Sequence, residues 1–455
     1  MREAVGDTPT VVGQADPAGP GVVEAARLVR ERLVSPVELL DFRLDRIRVL
    51  DPDLRAFDTL DVDGARRAAR DAERAVLAGL PLGPLHGVPI ACKRLFGTAG
   101  SGRREAAAPA ALRAAGAVPV GTTVAPDPFG FDSPARNPWD PSRTPGWSSG
   151  GSAVAVAAGL VPAALGSDTV GSVRIPAALC GVVGMRPSRG RIDRRGLALM
   201  ARTFDEVGPL AGRVEDVAAL LGVLDPRAHP AAAHARATDA RGLRIAVPAG
   251  PFHERCAPYV TAAVADAARI LCAAGAVAHE AHVPDDCFDG DLTRILIAVD
   301  TATRVRGPAP PHGPIGAAVR LGQRVGAAER AALRGRLGDL RRAWARATAH
   351  VDVLVVPTVP VPAATADATH VRHGNGGYES VTAVYPRLCR PATLAGAPAL
   401  TVPAGLSPEG LPFAVQFVGA AGGDAAVLRA GTAYQAAIGP LPHPPGLAGV
   451  RPWSP

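Results

Sequence analysis

Short apolar runs alternate with amphipathic stretches along most of this chain. Short apolar runs bounded by Gly, Pro or polar residues are typical of buried strands, whereas apolar positions that recur every three or four residues are typical of helices. The pattern predicts strands at residues 88–92, 118–121, 161–166, 243–248, 352–357, 399–403 and 413–418. It predicts helices at residues 64–78, 110–115, 152–159, 173–180, 261–274, 327–349 and 424–438. Strands that alternate with helices predict an α/β fold layered around a largely buried sheet.

One further helix carries explicit start signals. Ser35 can accept hydrogen bonds as its N-cap, Pro36 suits the first helical turn, and Glu38 completes a capping box. The Asp-Pro pair at residues 51–52 predicts that this helix ends near residue 50.

The chain is interpreted as one domain. Residues 1–20 are rich in Gly, Pro and small polar residues and predict a flexible N-terminal tail, which leaves residues 21–455 as a single domain. The Pro/Gly-rich stretch at residues 306–314 is interpreted as a loop, because periodic segments resume directly after it.

Composition and charge indicate which classes of partner to expect and where the protein is located. The formal net charge is +7, but the arginines are interspersed with acidic residues and form no basic block, so nucleic acid is not expected as a partner. The first twenty residues lack a secretory signal, and no apolar run reaches the roughly 18 residues that a membrane span needs, so no membrane is expected either. The six widely spaced cysteines are typical of free thiols in a reducing compartment, which predicts a cytoplasmic protein.

No metal site or cofactor is expected from the residue patterns. The eleven histidines and six cysteines show no metal-ligand spacing. A phosphate-binding Gly-x-x-x-x-Gly-Lys-Ser/Thr run is also missing from the sequence.

Lys93 stands out because it is the single lysine among 49 Lys and Arg residues. An arginine cannot give up its proton in a protein, whereas a buried lysine can become a neutral base. Codon bias with one chance survivor would give the same count, so the position of Lys93 carries the argument. It lies at the end of the predicted buried strand at residues 88–92.

Two serine-rich segments follow Lys93. Residues 146–153 read Gly-Trp-Ser-Ser-Gly-Gly-Ser-Ala, and residues 166–176 read Gly-Ser-Asp-Thr-Val-Gly-Ser-Val-Arg-Ile-Pro. A serine hydroxyl is a poor nucleophile unless a base takes its proton, and neither segment contains a histidine. Lys93 is therefore the candidate base. Ser172 follows a Thr-Val-Gly turn and precedes a short helix, where backbone N–H groups could hold an anion.

These segments, together with the Gly-Val-Pro-x-x-x-Lys run at residues 87–93, resemble the amidase signature family, and the likeness covers most of the chain. The family's usual forms are a Gly-Gly-Ser-Ser-Gly-Gly-Ser-Ala loop and an Asp-Thr-Gly-Gly-Ser-x-Arg-x-Pro-Ala turn. The resemblance implies a large mixed central β-sheet flanked by many α-helices, and hydrolysis of linear amides. It further implies Lys93 as general base, Ser148 as a bridging serine that relays the proton, and Ser172 as the nucleophile that forms an acyl-enzyme.

The resemblance also implies the surroundings of this triad. It makes the backbone amides of residues 169–172 the oxyanion-binding groups, and it places a cis peptide bond before Ser148. Asp168 and Arg174 are expected to tie the turn together, while Ser149 and Ser152 orient the loop or cap a helix. The residues implied in oxyanion or substrate binding are Thr169, Val170, Gly171, Trp147 and Ser149.

Four departures from the family pattern bear on how far the family's roles apply to this chain. Trp147 and Val170 each replace a glycine, and a β-branched residue at a positive φ would reshape the oxyanion turn. Arg94 replaces an aspartate; its charge would lower the pKa of Lys93 if it points inward, whereas it is merely solvated if it points outward. The segment between Lys93 and Ser148 is shorter than usual, and residues 121–124 read Gly-Thr-Thr-Val instead of Gly-Lys-Thr-Asn.

Several alternatives remain open. The chain could be a biosynthetic amide-forming acyltransferase, the amidase-like component of an amidotransferase that delivers ammonia to a partner protein, or a pseudoenzyme with an altered oxyanion turn. Residues 146–150 also match the Gly-x-Ser-x-Gly nucleophile elbow, but the Pro-rich residues 137–145 before them cannot form a central strand. That elbow would need a downstream histidine, for which His370, His373 and His443 are candidates. The expected partner is a small-molecule amide or acyl substrate, and exposed apolar helices are compatible with a homodimer.

Overall fold

The structure is a computed structural model that describes residues 18–98, 104–126, 133–225, 227, 239–305, 312–447 and 452–453. The helices of these residues are α1 (Val22–Arg30), α2 (Pro36–Leu54), α3 (Val62–Leu77), α4 (Ala107–Ala114), α5 (Gly150–Ala157), α6 (Arg174–Cys180), α7 (Val214–Leu224), α8 (Pro258–Ala273), α9 (Gly290–Arg304), α10 (Gly313–Arg324), α11 (Ala327–Ala347), α12 (Val381–Arg387), α13 (Arg390–Ala395) and α14 (Asp424–Ile438).

The strands are β1 (Phe57–Leu60), β2 (Pro89–Lys93), β3 (Val118–Thr123), β4 (Ala163–Asp168), β5 (Val183–Arg186), β6 (Glu206–Ala211), β7 (Arg244–Ala246), β8 (Val277–His279), β9 (Val353–Pro357), β10 (His370–Arg372), β11 (Tyr378–Ser380), β12 (Ala399–Leu406) and β13 (Pro412–Gly419). Eleven of them form one sheet in the order β1-β3-β2-β4-β6-β5-β12-β13-β9-β7-β8, while β10 and β11 pair separately. The predicted α/β class is confirmed, and the sheet is mixed, as the resemblance implied.

Parallel pairing in the middle of the sheet determines where the site lies. β2 pairs in parallel with β4, so that Ile90, Ala91 and Cys92 face Ala163, Ala164 and Leu165. The carboxyl ends of parallel strands meet at the same edge of a sheet. Lys93 at the end of β2 and the turn that follows β4 therefore come together.

Alternation along β2 separates its side chains between the two faces of the sheet. Ile90 and Cys92 belong to one buried cluster, whereas Ala91 belongs to another that also contains Ala153 and Val154 of α5. Because side chains alternate with a period of two, Lys93 shares the face of Ala91 and α5.

The predicted start of α2 is confirmed, but its predicted end is wrong. Ser35 Oγ accepts from the N–H groups of Val37 and Glu38, and the Glu38 carboxylate accepts from the N–H of Ser35. The helix continues through Pro52 to Leu54, because a proline in the last turn removes only one hydrogen bond. It ends at Arg55, which adopts a left-handed φ of 53°.

Two predictions fall partly outside the described residues. Residues 1–17 of the predicted tail lie outside them, whereas residues 18–20 contact α2, where Arg43 donates to the carbonyl oxygens of Ala18 and Pro20. Residues 306–311 of the predicted loop also lie outside them, and residues 313–314 begin α10 rather than a loop. None of the described helices combines the length and the apolar character that crossing a bilayer requires.

Candidate active site

Lys93 is fully buried at the carboxyl end of β2. Its Nζ lies within hydrogen-bond distance of three hydroxyl groups: Ser148 Oγ at 2.7 Å, Ser149 Oγ at 3.1 Å and Ser167 Oγ at 3.0 Å. A hydroxyl can both donate and accept, so this surrounding is compatible with a neutral amine as well as with an ammonium. The arrangement can therefore hold a base that takes and returns a proton.

The pKa of Lys93 is lowered to about 7, mainly by burial. The charge of Arg94 contributes to this lowering, whereas the carboxylates of Asp205 and Asp168 oppose it. Arg94 lies in the turn that follows β2, about one-third exposed, with Nη1 3.9 Å from Asp58 Oδ1, and it does not line the cavity that Ser148 and Ser172 line. It therefore acts on Lys93 through its charge while pointing away from the site.

Asp168 organises the turn that carries Ser172. Its carboxylate accepts from the Gly171 N–H at 2.8 Å, from Arg174 Nε and Nη2 at 3.0 Å each, and from Arg186 Nη1 at 3.0 Å. Burial alone would raise the pKa of Asp168, but Arg174 and Arg186 hold it well below its ordinary value. The expected role of Asp168 and Arg174 in tying the turn together agrees with this geometry.

The oxyanion turn differs from the sequence-based expectation at two residues. The positive φ of 101° falls on Gly171, and Val170 is not among the non-glycine residues with a positive φ, so valine introduces no backbone strain there. A Cβ on Gly171 would lie 2.8 Å from Cys389 Cβ, so this position also lacks room for a side chain. Because the Gly171 N–H already donates to Asp168, the implied set of oxyanion donors shrinks to the amides of Thr169, Val170 and Ser172.

The implied cis peptide bond before Ser148 is wrong for this structure. The described residues contain no cis peptide bond, so the bond between Trp147 and Ser148 is trans. Gly146 instead turns the chain with a φ of 102°, close against Pro176. In this geometry Ser148 Oγ lies 2.7 Å from Lys93 Nζ.

Ser149 and Ser152 orient the loop and the helix that follows it. Ser149 stands at the N-cap position of α5 but makes no side-chain capping bond. Its hydroxyl contacts Lys93 and the backbone of Ser167, accepting from the N–H at 3.2 Å. The Ser152 hydroxyl donates to the Leu165 carbonyl at 3.1 Å and bonds to Thr123 Oγ1 at 2.7 Å. Both serines fasten α5 to the central strands.

A cavity of about 1030 Å³ opens beside these residues. Ser148 and Ser172 both line it, although no hydrogen bond joins their hydroxyls in the described part of the chain. Its further wall is mostly apolar and includes Trp147, Val170, Leu199, Met200, Ile297 and Leu321. The Trp147 ring packs edge-on against Tyr385 with the ring centroids 6.2 Å apart.

Sequence reasoning missed two groups that contact the site and one wall of the cavity. Ser167 supplies a hydroxyl to Lys93, and Asp205 accepts from Thr169 Oγ1 at 2.6 Å. Ser167 lies inside the quoted 166–176 segment, but nothing in its type distinguishes it from other serines. The missed wall consists of α9 and α10, which contribute Ile297 and Leu321.

The nucleophile-elbow alternative does not fit this geometry. Ser148 follows an irregular segment instead of a strand, and its neighbouring base is Lys93. Within the described residues no histidine lines the cavity, and His370 and His443 are exposed. The same residues contain no group of three or more His, Cys, Asp or Glu side chains that could hold a metal ion.

The chain is similar to known proteins along most of its length. The family model described as Amidase matches residues 38–306 and 312–428. The chain is 36% identical to a component of the glutamyl-tRNA(Gln) amidotransferase of Roseiflexus castenholzii, over 91% of this chain and 95% of that protein. It is similar to a crystal structure of an amidase, with a TM-score of 0.82 and 30% identity over 92% of this chain and 100% of the other. It is also similar to the peptide amidase of Stenotrophomonas maltophilia, with a TM-score of 0.79 and 27% identity over 93% and 98% of the two chains.

Proposed function

The chain belongs to the amidase signature family, and on this premise we propose that Lys93, Ser148 and Ser172 hydrolyse the amide bond of a small linear amide. The observation that carries the proposal is the position of the only lysine. Lys93 is fully buried, lies 2.7 Å from Ser148 Oγ, and has a pKa lowered to about 7. A base with a pKa near the working pH is matched to proton transfer.

The proposed reaction proceeds in two halves. The neutral amine of Lys93 accepts the proton of Ser148 as Ser148 accepts the proton of Ser172, and Ser172 Oγ attacks the amide carbonyl. The amides of Thr169, Val170 and Ser172 stabilise the negative charge on the carbonyl oxygen. The proton returns through Ser148 to the leaving nitrogen, and water releases the acyl group by the same route. The contact between Ser148 and Ser172 forms when substrate binds, as catalytic hydrogen bonds commonly tighten in the complex.

The cavity supports a preference for an apolar acyl group. Trp147 and Val170 stand next to the two serines, and Leu199, Met200 and Ile297 extend the apolar wall. Burial of apolar surface contributes about 25 cal/mol per Å², so an acyl chain that fills this wall binds through its hydrocarbon part.

A cytoplasmic location is part of the same proposal. Five of the six cysteines are buried and none is paired within the described part of the chain. Unpaired thiols suit a reducing compartment.

The experiment is to treat the protein with an alkyl fluorophosphonate and to map the modified peptide by mass spectrometry. We expect one adduct on Ser172 that is lost in Ser172→Ala and in Lys93→Ala. The matched control is Ser142→Ala, which removes an exposed hydroxyl elsewhere and should label normally. An adduct on Ser148, or unchanged labelling of Lys93→Ala, would contradict the proposed roles.

The amidotransferase relative motivates a second candidate function. A chain that is 36% identical to an amidotransferase component could release ammonia for a partner protein. Ammonia release from simple aliphatic amides by the isolated chain supports the first candidate. Release from glutamine only after a partner is added supports the second.

A further inference from the structure

A second cavity of about 690 Å³ lies away from the candidate active site and shares no lining residue with it. Its walls come from the segment after β5, from α11 and from the segment after β13. Five arginines line it, against one lining carboxylate, that of Asp352. We call it the arginine cavity, and its arginines are Arg189, Arg191, Arg227, Arg244 and Arg341.

The carboxylates around the arginine cavity do not neutralise all five arginines. Arg244 pairs with Asp352 at 2.7 Å. Arg191 and Arg227 share Asp225, at 2.5 Å and 3.0 Å.

Asp424 lies 3.9 Å from Arg191 Nε, but its oxygens accept from the N–H and the hydroxyl of Ser188. For Arg189 and Arg341 the described residues provide no ion pair, although the buried Glu206 carboxylate attracts both and also lies 3.6 Å from Arg194. The cavity therefore keeps an excess of positive charge.

Two buried donors at this cavity also have no acceptor. Arg341 Nε donates to the Leu394 carbonyl at 3.1 Å, but Arg341 Nη2 is buried without a partner among the described residues. Trp344 is 1% exposed, and its Nε1–H likewise has no partner there. Both residues lie on α11, one helical turn apart. A buried donor without an acceptor is unfavourable, so two at one cavity indicate a missing acceptor.

The charges around Arg341 also favour a bound anion. The pKa of Arg341 is lowered to about 10, first by burial and then by the neighbouring charges of Arg189 and Arg186, while Glu206 acts against them. Neighbouring positive charges disfavour a guanidinium, and a bound anion would offset their effect.

We propose that the arginine cavity binds the phosphate group of a small phosphate monoester, with Arg189, Arg341 and Trp344 as donors to its oxygens. A tetrahedral phosphate offers acceptors in several directions, whereas a carboxylate offers two oxygens in one plane. The rest of the lining includes the exposed methyl groups of Ala345, Ala349 and Ala421, which suits an apolar body on the ester. The volume is within the range of about 300–1,000 Å³ that small-molecule sites occupy.

The test uses isothermal titration calorimetry at constant ionic strength, with phenyl phosphate and inorganic phosphate as probes. We expect wild-type protein to bind phenyl phosphate more tightly than inorganic phosphate, because the ring adds contact with the apolar wall. Equal affinity for both probes identifies free phosphate as the ligand of the same site. Undetectable binding of both probes at millimolar concentrations would overturn the proposal.

Three variants connect the binding to the cavity. Arg341→Gln removes one cation, and the affinity should fall about tenfold, the usual effect of one charge-assisted hydrogen bond. Trp344→Phe keeps the apolar ring but removes the Nε1–H, and should weaken binding several-fold. Arg334→Gln is the matched control on an exposed position of α11 and should bind as wild type does. Equal losses in Arg334→Gln and Arg341→Gln would mean nonspecific charge attraction and would refute the site.

Discussion

Lys93 is surrounded by hydroxyls, and this choice of neighbours determines its protonation. A carboxylate in direct contact would hold the lysine as an ammonium. The nearest acidic groups are instead engaged elsewhere: Asp205 accepts from Thr169 and Asp168 accepts from two arginines. Burial therefore prevails, and the neutral form of Lys93 is populated above a pH of about 7.

The first prediction concerns the pH dependence of the acylation rate of Ser172. Because the base must be neutral, the second-order rate of fluorophosphonate labelling should rise with pH and level off above a pKa near 7. Lys93→Arg preserves the charge but cannot accept a proton, so its rate should fall by about 10²–10⁴-fold. Labelling at pH values from 5 to 9 measures the pH profile of the wild type and the reduced rate of Lys93→Arg.

Arg94→Gln provides the control for this prediction. The charge of Arg94 lowers the pKa of Lys93, so its removal should move the midpoint of the pH profile upward while the plateau rate stays similar. A midpoint that moves downward, or a Lys93→Arg variant with a wild-type profile, would refute the role of Lys93 as base.

The second prediction concerns Val170, where the family pattern has glycine. Since Val170 does not adopt a positive φ, Val170→Gly relieves no strain and only adds freedom to the unfolded chain. The free energy of unfolding should fall by about 0.5–1 kcal/mol, and Ser172 labelling should not accelerate. Urea unfolding and the labelling rate test this, and a variant more stable than wild type would show that valine strains the turn.

At the scale of helices and strands, the sequence predicted where most of the elements lie but placed some of their ends wrongly. The strand predicted at residues 88–92 is Pro89–Lys93, and the helix at residues 152–159 is Gly150–Ala157. Local patterns suffice here because each segment is short, apolar and bounded by glycine or proline. The predicted end of α2 was wrong because the last helical turn accommodates Pro52, and the helix ends only at the left-handed Arg55, which no local pattern specifies.

α9 and α10 show what local reasoning leaves out. Asp289 caps α9, with Oδ1 accepting from the Leu292 N–H at 2.9 Å. An N-cap of this kind is a local signal, so the sequence alone could have predicted the start of α9. That α9 and α10 pack on each other and wall the cavity depends on contacts between distant segments. The substrate-binding wall was therefore not predictable, although the reacting residues were.

The third prediction concerns the buried ion cluster that joins β4, β5 and α6. Asp168→Asn leaves the buried guanidiniums of Arg174 and Arg186 without their carboxylate. Breaking a buried pair in this way destabilises by about 3–5 kcal/mol, and the misplaced turn should slow Ser172 labelling. Urea unfolding measures the first effect. Asp140→Asn, at a pair with Arg143 that is about one-third exposed, is the control and should change stability by less than about 1 kcal/mol. Equal losses in the two variants would contradict the prediction.

At the scale of the whole molecule, the order of the strands brings the chemistry together. Lys93 and Ser172 are far apart in sequence, but β2 and β4 are neighbours, so the segments after both strands reach one edge. Strand order depends on crossover connections, and only the resemblance to a family predicted that these residues meet. The two faces of the sheet are simpler to predict, since period-two alternation along β2 places Ala91 and Lys93 on one face and Ile90 and Cys92 on the other.

The whole fold also contains a titrating group far from the site. Asp216 of α7 is 1% exposed and accepts from the Val23 N–H of α1 at 2.8 Å, while its other oxygen has no partner among the described residues. Burial raises the pKa of Asp216 from 3.8 to about 7. The folded state therefore binds a proton more tightly than the unfolded state at this residue.

The fourth prediction is that Asp216 lowers stability as pH rises. Between pH 3.8 and about 7 the folded state carries more protons at Asp216 than the unfolded state. The contribution of Asp216 to the free energy of unfolding therefore falls as pH rises through this window, and the destabilisation is complete above about pH 7. Asn cannot ionise, so Asp216→Asn should remove this decline, and its stability relative to wild type should increase from pH 4.5 to pH 8. Each unit of pKa corresponds to about 1.4 kcal/mol, which makes a relative gain of about 2 kcal/mol or more measurable by urea unfolding. Lys93 contributes equally to both curves, since its lowered pKa gives stability that rises with pH above about 7 in each protein. Parallel curves for Asp216→Asn and wild type would show that this carboxyl group does not titrate abnormally.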